Sequence, residues 1–439
     1  MLDVLSNRTY GRLFAAQLIS LLGTGLATVA LALLAYEFGP DAAGSILGTA
    51  LAIKMVAYVS VAPVASALAQ NVERRTLLIA LDVIRALIAL CLPFVTQIWQ
   101  VFVLIFLLQS ASAAFTPAFQ ATIPDVLEDE EAYTKALSLS RLAYDLENLI
   151  SPLLAAAMLS FVGFHWLFAG TAAGFAISAL LVLSVALPRL KGLHDKAFAE
   201  RLTHGVRIFS RTARLRGLMA INLAVAASGA LVIVNTVVYV QSEFGMDARA
   251  TAIALAAFGG GSILVALTLP RVLAHTGDRL VMLAGATLVT LTTAVAALVP
   301  NYAMLLVLWA LTGIGYAAAQ LPVGRLLRRS AAASDRPAVF AAQFALSHAC
   351  WLITYPVAGW IGNAAGLSVV ALVLSILCAI GSIAAVLAWP AETEKPIAHA
   401  HHDLPADHPH LTQGDLLGPN RHRHPQIVDE LHGTRTWAD

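Results

Sequence analysis

Charge is the scarcest feature of this 439-residue chain: 12% of its residues are Asp, Glu, Lys or Arg, against about 25% in an ordinary soluble domain. So little charge cannot cover the surface of a water-soluble protein of this size. The shortage is sharper than the average, because twelve of the charged residues lie in the last 49. A soluble enzyme and a disordered scaffold are thereby set aside. The net charge of +1 gives no pull on a nucleic acid. Cysteine is nearly absent too. Cys91, Cys350 and Cys378 each sit in an apolar run and form neither a disulfide framework nor a CxxC clip. No Gly-x4-Gly-Lys-Ser/Thr loop occurs, which argues against direct ATP hydrolysis. The opening MLDVLSNRTYGRLF shows no cleavable leader, since the first apolar run already has the length of a full span. What remains is abundant: 59% hydrophobic residues in long runs, the composition of an integral membrane protein.

A helix needs about 20 mostly apolar residues to cross the hydrocarbon core. Twelve such stretches are predicted, over residues 12–36, 44–69, 76–97, 101–122, 134–160, 164–187, 217–241, 249–270, 280–299, 302–324, 337–361 and 364–389. With the N-terminus in the cytoplasm, 23 of the 27 Lys and Arg fall on that side. An even number of spans then places both termini there. The fold class is all-α membrane protein, in two six-helix halves: 1–187 and 217–390. Between them residues 188–216 form a basic linker with eight Lys or Arg against two acids, expected to lie along the inner membrane surface. Residues 391–439 form a polar, His-rich tail, expected to be cytoplasmic and disordered. Six spans, a long loop and six more is the layout of many two-fold repeated transporters, although channels reach the same number.

Three segments carry a family resemblance. Residues 63–75, PVASALAQNVERR, resemble the Gly-x-Leu-Ala-Asp-Arg-x-x-Arg-Arg loop of the major facilitator superfamily, found between spans 2 and 3. Residues 16–23, AQLISLLG, resemble its first span, and 115–142 resemble the bacterial branch of drug, macrolide and siderophore exporters. The chain departs from the loop pattern at Ser66, Gln70 and Asn71, keeping only Arg74 and Arg75, and Thr24 stands where many relatives have Asp. An amide at 70 hydrogen-bonds but forms no charged latch. Arg271, Asp278 and Arg279 are a weaker second-half echo. The resemblance implies that spans 1, 4, 7 and 10 line a central cavity. Gln17, Thr24, Gln109, Thr116, Asn222, Asn235, Trp309, Tyr316 and Gln320 are then its lining candidates, beside Ser20, Gln120 and Thr312. It also implies that spans 2, 5, 8 and 11 form the seam between halves.

Charge inside a span costs about 2.5–3.5 kcal/mol on insertion scales, so each instance needs a reason. Lys54 and Glu147 fall near mid-membrane. They form a buried pair joining two helices, or a titrating site with Glu147 and Asp145 as proton carriers, or Lys54 faces a wet cavity alone. Asp82 with Arg85, and Arg141 with Asp145, lie one helical turn apart and read as gating or structural charges near the cytoplasmic end. His348 is a packing histidine, a seam residue opposite Lys54 or a transient metal ligand, with proton coupling as its candidate functional role.

The tail holds eight of the 13 histidines, among them His399, His401, His402, His408, His410, His422 and His424. Imidazoles at this density suit divalent transition metals, and the tail is similar to those of nickel- and cobalt-resistance exporters. The functional expectation is a secondary active transporter, a proton-coupled exporter of small amphipathic organic compounds working by alternating access. The alternative is divalent-metal efflux with a metal-binding tail; a third reading is a non-transporting membrane sensor. No cofactor is required beyond that possible metal. The expected partners are substrate, protons and lipid, and the expected setting is a bacterial-type inner membrane with the chain a monomer.

Overall fold

The computed structural model describes residues 2–38, 43–69, 72–187, 198–246, 248–331, 335–391, 397–400, 415–418 and 421–424. The apolar runs are helical for a solvent reason: in hydrocarbon, backbone N–H and C=O groups must be satisfied within the segment. The first six long helices are α1 (Arg8–Phe38), α2 (Ala43–Ala69), α3 (Arg74–Cys91), α4 (Ile98–Val126), α5 (Glu130–Leu159) and α6 (His165–Leu183). A short α7 (Phe198–Arg211) precedes α8 (Ala213–Val237), α9 (Ala248–His275), α10 (Asp278–Ala296) and α11 (Tyr302–Gln320). The chain then makes α12 (Val323–Ser330), α13 (Arg336–Pro356), the single turn α14 (Gly362–Ala365) and α15 (Leu367–Ala388). Ten helical segments among the described residues are long and apolar enough to cross a membrane. The two long helices outside that set are α2, whose apolar stretch is Ala52–Leu68, and α5, which carries Glu130, Glu131, Lys135, Arg141, Asp145 and Glu147.

Within the first half α1 packs on α5 and α6; within the second α8 packs on α15 and α9 on α11. The α9–α11 crossing depends on missing side chains. A Cβ at Gly261 would stand 2.0 Å from the carbonyl oxygen of Ala310, and one at Gly313 would stand 1.9 Å from that of Phe258. Gly261 is therefore the packing member of the Gly259–Gly261 run, whose other two positions face open space. The halves meet where α2 packs on α13 and α5 on α9. Helix α7 touches both α2 and α13, so the basic linker crosses that seam, while residues 188–197 lie outside the described residues. Pro356 lacks an N–H donor, and the chain continues past it as a π turn, Val357–Ile361. Exposed Phe94, Trp99, Phe161, Trp166 and Trp360 gather at the loops opposite the Arg-rich ends, as an interfacial aromatic belt does.

The tail departs from expectation where it is described. Residues Ile397–Ala400 (β1), Asp415–Gly418 (β2) and Arg421–His424 (β3) form an antiparallel sheet in the order β1–β3–β2, with His399 opposite His422. The period-two alternation of Arg-His-Arg-His is one that a pleated strand accepts. His401, His402, His408 and His410 lie outside the described residues.

Candidate functional site

Between the halves lies a cavity of about 810 Å³, within the size range of small-molecule sites. Its wall mixes amides and hydroxyls (Gln17, Ser20, Thr24, Thr116, Gln120, Gln320) with aromatic rings (Tyr58, Phe115, Phe119, Tyr144). Charged Lys54, Arg85, Arg141 and Glu147 also line it, and His348 of the second half borders it as well. On α1 the lining positions 17, 20, 21, 24, 25 and 28 recur every three or four residues, which is one helical face. Glu147 reaches the cavity beside α1 because Gly25 clears its path. A Cβ at Gly25 would lie 3.0 Å from Glu147 Oε1 and 2.1 Å from Ser151 Oγ.

Lys54 and Glu147 thus border one cavity. The Lys54 ammonium stands 5.5 Å from the centre of the Tyr58 ring, a cation–π distance. Tyr58 meets His348 edge-on at 4.8 Å and Phe344 at 4.9 Å, so His348 is at the α2–α13 seam on the Lys54 side. His348 Nδ1 contacts the Phe344 carbonyl oxygen at 2.7 Å. The side chain of Asp145 lies outside the described residues.

Asp82 and Arg85 are placed differently from a gate between halves. Their ion pair is wholly inside the first half, with Asp82 fully buried and accepting a 2.8 Å hydrogen bond from Ser178 on α6. Arg141 does cross. Its Nε donates to Ser262 Oγ on α9 at 2.9 Å, and its guanidinium lies 5.0 Å from the Tyr316 ring centre on α11.

Of the lining candidates, Gln17, Thr24, Thr116 and Gln320 border the cavity. Asn222 stands behind the wall, where it hydrogen-bonds Gln343 at 3.1 Å and holds Gln320 at 3.5 Å. Asn235 donates to the Ala358 carbonyl at 3.3 Å within the second half, and Trp309 donates to Thr236 at 2.7 Å. Tyr316 supports Arg141, and Gln109 sits outside the lining, three residues before Ser112 on α4. The second-half helices turn these polar groups toward one another, because a buried polar group without a partner is costly.

The cytoplasmic ends hold a network in which Asp125 and Glu130 were not singled out by the sequence and Asp278 was named only as part of the second-half loop echo. Arg74 pairs with Asp125 at the end of α4, and Arg336 on α13 reaches the same carboxylate at 2.5 Å. Glu130 on α5 meets Arg325 at 2.6 Å and Arg329 at 2.5 Å, both on α12. Those two arginines also hold buried Asp278 at 3.1 and 3.0 Å. Arg328 donates to the Glu128 carbonyl, and Arg75 donates to that of Leu183. Of these, Arg336 with Asp125, Arg325 and Arg329 with Glu130, and Arg328 with the Glu128 carbonyl tie the halves together on the cytoplasmic side of the cavity. At the rim, Lys135 donates to Asp3 at 2.8 Å and holds its carboxyl below the ordinary carboxylate range. The available signal was the clustering of acids and bases at span ends. Which acid meets which base is decided only by the folding of the bundle. Gln70 and Asn71 lie outside the described residues. Among the described residues no group of three His, Cys, Asp or Glu is placed to hold a metal ion.

Comparisons with known proteins agree with this architecture. The chain is 24% identical over 220 residues to macrolide efflux protein A of Streptococcus pyogenes, covering 48% of this chain and 53% of that one. It is 27% identical over 179 residues to a major-facilitator-type transporter of Bacillus subtilis, covering 40% and 42%. These alignments span about half the length of each relative. Among solved structures, the Escherichia coli fucose:proton symporter aligns with a TM-score of 0.69 at 15% identity, over 87% of this chain and 98% of that one. A human organic anion transporter aligns with a TM-score of 0.70 at 13% identity, over 86% and 99%. At those identities the likeness is one of fold. The family model of the Major Facilitator Superfamily matches residues 13–237 and 218–418. The chain therefore belongs to the Major Facilitator Superfamily, as a multi-pass protein of the bacterial plasma membrane.

Proposed function

We propose that this protein is a secondary active transporter that exports small amphipathic organic compounds in exchange for protons. The observation that carries the reading is the cavity between the halves, lined by rings and amides around a membrane-buried carboxylate and sealed toward the cytoplasm by ion pairs. The similarity to macrolide efflux proteins supports the direction of transport. Residues 1–187 and 217–390 act as two bodies that rock about the cavity, with the linker riding on the seam. The described geometry corresponds to the state closed on the inside. Glu147 exchanges the proton, Lys54 favours its release, and His348 closes the seam beside Lys54 through Tyr58. The cavity is complete within one chain, so a monomer suffices.

The test is drug accumulation in inverted vesicles under an imposed proton gradient, comparing the unmodified protein with Glu147→Gln. Gradient-driven accumulation that disappears in the variant, with passive exchange of the same solute retained, supports the reading. Full accumulation by Glu147→Gln removes Glu147 from coupling. No accumulation of any solute by the unmodified protein overturns transport.

A further inference from the structure

The charges around the cavity are unequal in sign. Among the described side chains that line it, Lys54, Arg85 and Arg141 are cationic and Glu147 is the acid. Arg85 is the most confined of these, only 3% exposed although it borders the cavity. Its guanidinium is clamped between two rings, 4.0 Å from the centre of Phe115 on α4 and 4.4 Å from that of Phe175 on α6. Between two ring faces a planar guanidinium donates only at its edges. One edge is taken: Nη2 donates to Asp82. Asp82 is itself turned away from the cavity, with its second oxygen held by Ser178 and no exposed surface. The pair is therefore a fixed dipole whose positive end faces the lumen. Nε is buried with no hydrogen-bond partner among the described residues, so the donor set of this arginine is not saturated by them. An unsaturated guanidinium in a water-poor wall is a strong site for a carboxylate, sulfonate or phosphate oxygen. Phe115 and Phe119, which stack at 5.6 Å, provide the apolar surface beside it.

We infer that the transported compound is an amphipathic organic anion, whose acidic group is taken by Arg85 while its ring or chain lies along Phe115 and Phe119. This ligand class rests on the transport reading above. The geometry separates the roles of the two deep charged sites. Arg85, locked to Asp82, keeps its charge through the cycle and reads the substrate's sign, whereas Glu147 handles the proton.

Three compounds with one ring system test this: 1-naphthoate, 1-naphthamide and 1-naphthylmethylammonium, in equilibrium binding to the purified full chain in nanodiscs. The expected result is that naphthoate binds about tenfold or more tighter than the amide, with the ammonium weakest. Arg85→Gln alone leaves Asp82 buried without its counter-charge and destabilises the fold, so the informative variant is Asp82→Asn/Arg85→Gln, checked for monodisperse elution. In it, naphthoate affinity should fall to that of the amide, with the amide unchanged. Equal binding of the three compounds by the unmodified protein, or binding of none, overturns the inference whether or not the variant folds. So does a folded double variant that keeps the preference. Flux in vesicles distinguishes this failure from failure of the transport reading. Movement of the ammonium but not of naphthoate overturns the ligand class and leaves transport standing. Naphthoate binding with the stated preference but no flux of any compound upholds the site and overturns transport.

Discussion

The cytoplasmic ends of the two halves are alike in position and opposite in charge. In the first half a base opens α3 (Arg74), an acid closes α4 (Asp125) and an acid opens α5 (Glu130). In the second half an acid opens α10 (Asp278), bases follow α11 on α12 (Arg325, Arg329) and a base opens α13 (Arg336). Each half therefore satisfies itself and also complements the other, through Asp125 with Arg336 and Glu130 with the α12 arginines. In the alternating-access cycle proposed above, Asp125 would retain Arg74, and Asp278 would retain Arg325 and Arg329, when the halves part. The charges without a partner from their own half in these pairs are Glu130, whose side chain is 43% exposed, and Arg336, whose side chain is 17% exposed. A buried charge stripped of its partner is the expensive outcome, and Asp125 and Asp278 are spared it.

Deeper in the bundle the halves stop matching. All four charged side chains of the described cavity wall come from the first half, and the second contributes amides, aliphatics, Phe340, Phe344 and His348. The charge of the described wall thus comes from one half alone.

The strongest way to break that contrast is to neutralise one titratable group on each side. Glu147→Gln should cut proton-driven accumulation by about a hundredfold or more, the scale of losing a proton-transfer group. His348→Gln should stay within a few-fold in the same vesicle assay. Comparable losses would mean that both halves carry the coupling. The cytoplasmic pattern is sharpened by comparing a buried acid with an exposed one. Asp125→Asn should destabilise the inside-closed state by about 3–5 kcal/mol, and Glu130→Gln by only about 0.2–1 kcal/mol. Labelling of a cysteine placed at Ser140 by a cytoplasmic thiol reagent reads both, rising strongly in the first variant and little in the second.

Rigidity can be compared through glycines. Gly261→Ala forces a methyl to within 2.0 Å of a backbone oxygen in the second half, against 3.2 Å for Gly23→Ala at the α1–α6 crossing. The former should lose about 1–3 kcal/mol through overpacking, seen as a clearly lower Tm, and the latter distinctly less. A reversed order would place the stiffer packing in the first half. The smallest effect belongs to Asp3. Its depressed pKa means that any stabilisation is present above the ordinary carboxylate range and is lost only as pH falls through the lowered value. Asp3→Asn should accordingly leave Tm flat from about pH 5 to 8. A uniform, large drop in Tm across that window would show the Lys135 contact to contribute more than an exposed pair does.

Much of this was legible without coordinates, and the reasons are local. The spans are visible because a membrane helix must be apolar for about 20 residues, whatever it packs against. Glu147, Lys54, Arg85 and Arg141 were visible because charge in such a run is rare and must be accommodated. Asn222, Asn235 and Trp309 were assigned to the cavity and lie behind it, since a helix shows its polar face in sequence but not which neighbour that face meets. Asp125, Glu130 and Arg336 were passed over because acids and bases are ordinary at span ends.

By itself the sequence determined what depends on the solvent: the apolar runs that become membrane-spanning helices and the presence of charge within them. Tertiary structure alone decided pairing. It turned Asp82 inward onto Ser178, set Arg85 in the cavity wall, brought Glu147 past Gly25 and matched Asp125 with an arginine 211 residues away. Burial of a helix is dictated by its own composition, whereas the partner of a charge is dictated by distance, and distance between remote residues exists only once the helices have packed.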